Sequence, residues 1–285
     1  MGLGRECATG SVATRSDRTT RVTQRRGIIL KSSREIELMR NAGRVVHRVL
    51  SRIRELAAPG VTTGELNAAA EKMIAEVGGT PLFQGVENPQ AKFPFPAALC
   101  TSVNEELVHG IPGDRTLKSG DIVSVDCGVR LAGYCGDSAL TLPIGEVSTD
   151  VERLLDVTRR ALDRAIAAVR PGRMWNEVAR EIQSVVEAER FSVVRDFVGH
   201  GIGREMHEEP KVPNFWDHRQ KNLDFELVPG IVLAIEPMVN MGGRQVEYGG
   251  PEGWVVVTKD RRYAAHFEHT VAVTPGGADV LTDGR

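Results

Sequence analysis

Apolar residues recur at helical spacing in two segments near the start of the chain, one on each side of Pro59-Gly60. The stretches Ser32–Glu35 and Thr62–Glu65 have the spacing of capping boxes, which mark helix starts. We therefore predict one helix that begins after Ser32 and a second that ends near Val77, before Gly78-Gly79. The apolar stripe of the first helix comprises Ile36, Met39, Ala42, Val46, Leu50, Ile53 and Ala57.

The same order of elements returns later in the chain. Thr149–Glu152 is predicted to cap a helix that ends before Pro171-Gly172, and a further helix covers about Met174–Glu189. One constant offset of 112 positions relates the two units, since Pro59, Gly60 and Glu65 correspond to Pro171, Gly172 and Glu177. A single offset shared by two such units indicates an internal duplication.

Each predicted helix pair is followed by a region rich in strand-forming residues, about 97–142 in the first half and about 193–274 in the second. This arrangement predicts an α+β fold with a pseudo-twofold repeat of two αα-plus-strand halves. The helices are expected to cover one face of a largely antiparallel sheet. A ligand site at the junction would draw on both halves.

Two aspartates interrupt strand-like runs in the first half. With a turn centred near Leu131 and Ala132, Asp126 and Asp137 are predicted to lie roughly opposite each other across a hairpin. Like charges that face each other destabilise a sheet, and a divalent cation would neutralise them. The alternative is that one of the two aspartates faces solvent or caps a turn.

Further metal-ligand types lie in strand-like runs of the second half. Glu236 ends an apolar run, Glu268 has apolar and imidazole neighbours, and His200 lies between glycines that indicate close approach of backbone. For each glutamate alone, a buried ion pair is an equally good interpretation. Together with Asp126 and Asp137 they form an oxygen-rich set with one imidazole, which suits Mn(II), Fe(II) or Co(II) better than a structural zinc.

Such a set is large enough for a two-metal site that activates a water and polarises a carbonyl. His109 and His207 are then left as imidazoles outside the ligand set, able to donate to a developing oxyanion or to contact the substrate.

Composition narrows the function classes. The chain has 285 residues, 41% of them hydrophobic and 26% charged, as in soluble globular enzymes. A net charge of −2 gives no global attraction to nucleic acid, and no apolar run approaches the roughly 18 residues of a membrane span. The four cysteines show no CxxC spacing, so we expect a reducing cytoplasm.

Residues 1–26 differ from the rest of the chain. They hold six arginines but only Glu6 and Asp17 as acids, and no apolar face. We interpret this stretch as a disordered basic tail, with a mis-assigned start or a targeting segment as alternatives. The catalytic domain is then predicted to cover residues 27–285.

Seven short motifs follow one another in a characteristic order along the chain. They are Cys100–Glu105, His109–Pro112, Val125-Asp126, Gly136-Asp137, Gly199–Gly203 with His207, Ile235–Met238 and Phe267–Thr270. At these motifs the chain resembles the type I methionine aminopeptidases, which have the pita-bread fold, and the likeness covers about residues 27–283.

The resemblance implies a specific activity, namely removal of the N-terminal methionine from nascent proteins whose second residue is small. Hydrolysis would use a metal-bridging hydroxide, with Glu236 as proton shuttle. His109 and His207 would be catalytic and substrate-binding residues that steady the scissile carbonyl. The implied ligands of two divalent ions (Co, Mn, Fe(II) or Zn) are Asp126, Asp137, His200, Glu236 and Glu268.

Phe95, Cys100 and Trp254 match positions that line the methionine pocket in the family, and plain core packing is the alternative for them. The implied partners are nascent chains, near the ribosome. A monomer without nucleic-acid or membrane binding is expected.

The chain departs from the family pattern at Lys92–Ala98, at Met206, where an aromatic residue is frequent, and at His266, which is more often Gln. Two alternatives to the implied function stay open. One is an inactive pita-bread binding protein, which the five filled ligand positions disfavour. The other is an enzyme like the X-Pro aminopeptidases, whose large amino-terminal domain the first 26 residues are too short to supply.

Overall fold

The computed structural model describes residues 27–218 and 224–285. The predicted basic tail, residues 1–26, lies outside this range. In the described residues the helices are α1 (Ser33–Leu56), α2 (Thr63–Glu76), α3 (Thr149–Ala168) and α4 (Trp175–Ala188). None of these helices is long and apolar enough to cross a membrane.

The predicted helix starts are confirmed for the first half and wrong in one detail for the second. Ser32 and Thr62 are N-caps in complete capping boxes with Glu35 and Glu65. The N-cap of α3 is Ser148 and not Thr149, and the Ser148 side chain makes no capping hydrogen bond. The acidic residues in the first turn of α3 instead lie where the helix dipole favours negative charge.

All strand pairings in the described part of the chain are antiparallel, as predicted. The strands are β1 (Thr80–Pro81), β2 (Leu99–Val103), β3 (Glu106–Val108), β4 (Ile122–Leu131), β5 (Tyr134–Pro143), β6 (Ser192–Val193), β7 (Gly199–Gly201), β8 (Glu208–Val212), β9 (Val232–Ile235), β10 (Met238–Asn240), β11 (Val246–Tyr248), β12 (Val256–Thr258), β13 (Ala264–His266), β14 (His269–Thr274) and β15 (Gly277–Val280). Their hydrogen-bonded orders are β1-β4-β2 with β5 on β4, β13-β10-β6, β11-β12-β3, and β15-β14-β9-β7-β8.

The two helix pairs are built alike at their Pro-Gly turns, which confirms the predicted repeat. Gly60 and Gly172 both have a left-handed φ, +96° and +86°, which glycine adopts without strain. The N–H of Gly60 donates to the carbonyl of Leu117, and the N–H of Gly172 donates to that of Leu227. Each half therefore ties its helix turn to the strand-rich region that follows it.

Separate apolar cores stabilise the two halves. Ile53, Leu66 and Val125 belong to the core under α1 and α2, whereas Leu154 and Ile182 belong to the core under α3 and α4. Burying one such side chain contributes about 1.5–3 kcal/mol. Phe267 packs against both cores, so the residue next to Glu268 lies at the junction of the halves.

The β4–β5 hairpin corrects one prediction. Its two-residue turn is Ala132-Gly133, both with positive φ, and lies one position later than predicted. The register consequently pairs Asp126 with Ala139 and Gly128 with Asp137, so the two aspartates are diagonal neighbours and not direct partners. Because side chains alternate along a strand, both aspartates still point to the same face.

Candidate active site

The halves meet along β5 and the segment before β14. The Glu268 N–H donates to the carbonyl of Ala139, and the Thr270 hydroxyl donates to the carbonyl of Asp137. The N–H of Asp137 in turn donates to the Thr270 hydroxyl. These bonds fix a carboxylate of the first half against one of the second.

The predicted ligand residues converge at this junction. Asp137, His200 and Glu268 each offer a ligand atom, and these atoms lie within 4.8 Å of one another. Asp126 lies within hydrogen-bond reach of the Asp137 side chain. Glu236 Oε1 lies 3.6 Å from His200 Nε2, so all five side chains belong to one cluster.

Several oxygens of this cluster lack a partner. Asp126 Oδ1, Asp137 Oδ1 and Glu268 Oε1 are buried and accept no hydrogen bond from the described residues. Buried polar atoms are normally satisfied, so such orphans need an explanation. A cation held between them supplies one, and carboxylate oxygens with one imidazole are suitable donors for divalent Mn, Fe or Co.

The electrostatics agree with this interpretation. Burial raises the pKa of Asp137 to about 7. Burial, reinforced by the negative charge of Asp137, holds the pKa values of Asp126, Glu236 and Glu268 well above their usual range. Like charges this close disfavour ionisation of the whole set, and a bound cation would reverse that preference.

His200 is oriented as a ligand would be. Its Nδ1 lies 2.9 Å from the carbonyl of Gly201, so that Nδ1–H donates and Nε2 keeps its lone pair towards Glu236. Burial lowers the pKa of His200 to about 4, so the ring is neutral at physiological pH. A Cβ on Gly199 or Gly201 would come within 2.3 Å of a carbonyl oxygen, which confirms the predicted close approach of backbone.

An apolar cavity of about 560 Å³ opens beside the cluster, and Phe95, Cys100 and Trp254 all line it. The rings of Phe95 and Trp254 meet edge to face with centroids 5.1 Å apart. Trp254 Nε1–H donates to the carbonyl of Phe93 at 2.9 Å, so the indole N–H of this wall has a hydrogen-bond partner. The three residues pack in one buried cluster and also face the cavity.

His109 and His207 approach the cavity from opposite halves. His109 has a positive φ of 61°, and its ring meets Phe197 and Trp254 edge to face. The His207 ring lies 4.4 Å from that of His200 and is exposed towards the cavity. Burial lowers the pKa of His109 to about 4 and lowers that of His207 too, so both rings are neutral N–H donors at neutral pH.

Some of the positions at which the chain departs from the family pattern also line this cavity. Met206 and His266 both do so, whereas Phe95 is the one lining residue of the stretch Lys92–Ala98. His266 is buried, with Nε2 3.7 Å from Glu236 Oε2 and no hydrogen-bond partner for that nitrogen within the described ranges. Burial lowers its pKa to about 3, so it meets the carboxylates as a neutral ring.

Other lining residues carried no recognisable sequence signal. Met238, which follows Glu236 by two positions, and Glu208 both line the cavity. Periodicity places such residues on strands, but it does not show which strand faces the cavity.

Comparisons with known proteins identify the family to which a chain with this site is similar. The sequence profile of Metallopeptidase family M24 matches residues 37–275. The chain is 46% identical to methionine aminopeptidase 1 of Bacillus subtilis over 255 residues, which cover 90% of this chain and 99% of the relative. It is also 46% identical to the methionine aminopeptidase of Clostridium perfringens, again covering 90% of this chain and 98% of the relative.

Solved structures agree with the sequence matches. The crystal structure of methionine aminopeptidase from Rickettsia prowazekii superimposes with a TM-score of 0.84 at 35% identity, covering 90% of this chain and 99% of that one. A Xaa-Pro dipeptidase from Bacillus anthracis reaches a TM-score of 0.69 at 21% identity, and the match covers 93% of this chain but 64% of that one. The latter likeness concerns the fold alone. The chain therefore belongs to metallopeptidase family M24 and, within it, to the methionine aminopeptidases.

Proposed function

We propose that the protein removes the N-terminal methionine from nascent proteins whose second residue is small. One observation carries the proposal: a buried cluster of unsatisfied carboxylates lies at the wall of an apolar cavity. The cluster suits metal-dependent hydrolysis, and the cavity suits an uncharged side chain held beside it.

Asp126, Asp137, His200, Glu236 and Glu268 would hold two divalent metal ions, either Co, Mn, Fe(II) or Zn. Bound there, the ions would polarise the scissile carbonyl and lower the pKa of a water. The orphaned oxygens and the raised carboxyl pKa values support this assignment, because a cation would relieve both.

Phe95, Cys100 and Trp254 would bind the methionine side chain. Their wall combines two aromatic faces with a thiol, and a flexible, polarisable thioether packs well on such a surface. The cavity also exposes the cluster, so a side chain bound against this wall keeps its own carbonyl near the carboxylates.

His109 and His207 would each donate an N–H to the carbonyl oxygen as it gains negative charge. Neutral imidazoles suit this role, and the lowered pKa values keep both rings neutral. Glu236 would carry the proton from the attacking water to the leaving amine. Burial raises the pKa of Glu236, which makes its carboxylate a better proton acceptor than an exposed glutamate.

The cellular setting is part of the proposal. A cytoplasmic monomer that acts on nascent chains close to the ribosome, without binding nucleic acid itself, accords with a net charge of −2. Neither alternative function has an observation in its favour. All five ligand types are present, and the likeness to X-Pro enzymes is confined to the fold.

A peptide panel tests the proposal. The purified protein is stripped of metal, reloaded separately with Mn(II), Co(II), Fe(II) or Zn(II), and assayed on Met-Ala, Met-Gly, Met-Leu, Ala-Ala and X-Pro peptides. We expect release of methionine from the first two only. Cleavage of X-Pro peptides alone, or no cleavage with any metal, would overturn it.

A further inference from the structure

We propose that Lys31 is a positioning residue for His207 and acts through the carboxylate of Glu208. This inference rests on the proposed function, in which His207 contacts the substrate. Lys31 does not line the cavity, so it would influence the reaction through the residues that it holds in place.

The two charges form a buried pair. Lys31 Nζ lies 2.5 Å from Glu208 Oε2, with side-chain exposures of 4% and 8%, although the residues are 177 positions apart. The ammonium also donates to the carbonyl of Ile29 at 2.9 Å. Desolvated charges are retained only where partners are well placed, so this contact is held at a defined geometry.

The second carboxylate oxygen of Glu208 accepts hydrogen bonds from the backbone of the loop that precedes Glu208. Glu208 Oε1 accepts the backbone N–H groups of Arg204 at 2.9 Å and Glu205 at 3.2 Å. The loop between these donors and Glu208 consists of Met206 and His207, both of which line the cavity. The Glu208 carboxylate therefore links the backbone of this loop to Lys31.

Close packing leaves this link little freedom. A Cβ on Gly203 would lie 2.5 Å from both Glu208 Oε1 and Lys31 Cε. The same loop also contacts β5. The carbonyl of Gly203 accepts a hydrogen bond from the N–H of Cys135, and the Arg204 guanidinium lies 4.6 Å from the centre of the Tyr134 ring. The loop is thus held between Lys31, which precedes α1, and β5, the strand that carries Asp137.

The His207 ring itself has no such restraint. Among the described residues it makes a ring contact with His200 but forms no hydrogen bond. The position of its N–H groups is therefore set by the loop backbone, which Glu208 and Lys31 hold. A displacement of about 1 Å at a group that contacts the reacting atoms can cost about 100-fold in rate.

The test combines Lys31→Met with His207→Ala. We expect Lys31→Met to lower kcat by about 10- to 100-fold with KM changed by less than about threefold, because the methionine pocket is built from other residues. In the His207→Ala background, Lys31→Met should have almost no further effect. Lys31→Arg, which keeps the charge, should recover most of kcat.

Arg40→Met is the matched control. Arg40 pairs with Asp279 at 2.5 Å with side-chain exposures of 14% and 32%, joins α1 to β15, and does not line the cavity. Its loss should lower the melting temperature without changing kcat. If the effects of Lys31→Met and His207→Ala multiply, or if Lys31→Met acts on KM alone, the positioning role is refuted.

A readout without catalysis separates this inference from the proposed function. The chain has seven histidines, so the ring Cε1–H signal of His207 can be assigned in the proton NMR spectrum from its loss in His207→Ala. Lys31→Met should shift or broaden this signal in metal-free protein and leave that of His47 unchanged. An inactive wild type would refute the proposed function, whereas an unmoved His207 signal would refute the positioning role.

Should Lys31→Met fail to fold, the double variant Lys31→Met with Glu208→Gln removes both charges, so no unpaired charge stays buried. We expect it to fold and to show the same loss of kcat and the same change in the His207 signal. Wild-type kcat in this variant would refute the inference.

Discussion

The two walls of the cavity are stabilised in opposite ways. The apolar wall of Phe95, Cys100 and Trp254 is complete as it folds, since its rings pack edge to face and its indole N–H has a partner. The wall formed by the five predicted ligands has carboxyl groups with raised pKa values and buried oxygens that find no partner in the described part of the chain. One wall contributes to folding stability by itself, whereas the other opposes it until a cation binds.

The largest expected effect is that of Asp137→Asn. This change removes the charge of a proposed metal ligand, and we expect hydrolysis of a Met-Ala peptide to fall by at least about 1,000-fold. The metal-free fold should persist at about pH 8 with an equal or higher melting temperature, because repulsion among buried carboxylates is relieved. Steady-state kinetics and calorimetry measure the two effects.

Asp279→Asn serves as the control for this change, because Asp279 lies in an ion pair with Arg40 away from the cavity. Wild-type kinetics are expected for the control. If Asp137→Asn retained substantial activity, or unfolded the metal-free protein, the contrast between the walls would be wrong.

The next largest effect concerns His207→Ala. We expect kcat to fall by about 100-fold while KM changes little, because the N–H donation proposed for His207 would strengthen only as the carbonyl oxygen gains charge. His47→Ala, on α1 and outside the cavity, should behave as wild type. A large rise in KM with kcat preserved would assign His207 to ground-state binding instead.

Phe95→Ala tests the apolar wall of Phe95, Cys100 and Trp254. Phe95 is buried, so truncation should lower the free energy of unfolding by about 3–5 kcal/mol with or without metal. We also expect KM for Met-Ala peptides to rise by about tenfold, since part of the pocket is lost. Phe191→Ala, in the core under α3 and α4, should give a similar loss of stability without the change in KM. If KM is the same in the two variants, Phe95 does not contribute to binding of the methionine side chain.

The smallest effect is a pH dependence of the metal-free protein, whose melting temperature should fall by a few degrees between about pH 6.5 and about pH 8. Burial raises the pKa of Asp137 to about 7, so the folded chain retains a proton that the unfolded chain releases near its ordinary value of 3.8. The unfolded state binds fewer protons over this range, and stability therefore decreases as the pH rises.

The buried histidines make stability increase with pH, opposite to the effect of Asp137, and they do so only at lower pH. Burial lowers the pKa values of His109 and His200 to about 4, so their contribution grows between about pH 4 and about pH 6.5 and is constant above. Saturating Mn(II) should raise the melting temperature more at about pH 8 than at about pH 6.5, because ligands bind metal deprotonated. A metal effect independent of pH would contradict the raised carboxyl pKa values.

Local chemistry explains which elements could be predicted. The capping boxes at Ser32 and Thr62 need only residues three positions apart, and both were predicted correctly. The N-cap of α3 is Ser148, one residue before the predicted Thr149, and it lacks a side-chain hydrogen bond that would distinguish it from Thr149. The hairpin turn was also misplaced by one residue, because Ala132 adopts a positive φ that its side chain does not predict.

The sequence by itself determined the residue types of the candidate site. It also determined the repeat of the helix pairs, because periodicity, caps and offsets are properties of neighbouring residues. Tertiary structure alone decided that Asp137 faces Glu268 across the junction and that Lys31 reaches Glu208. Such contacts join residues far apart in the chain. They depend on how two separately packed cores meet, which no local pattern encodes.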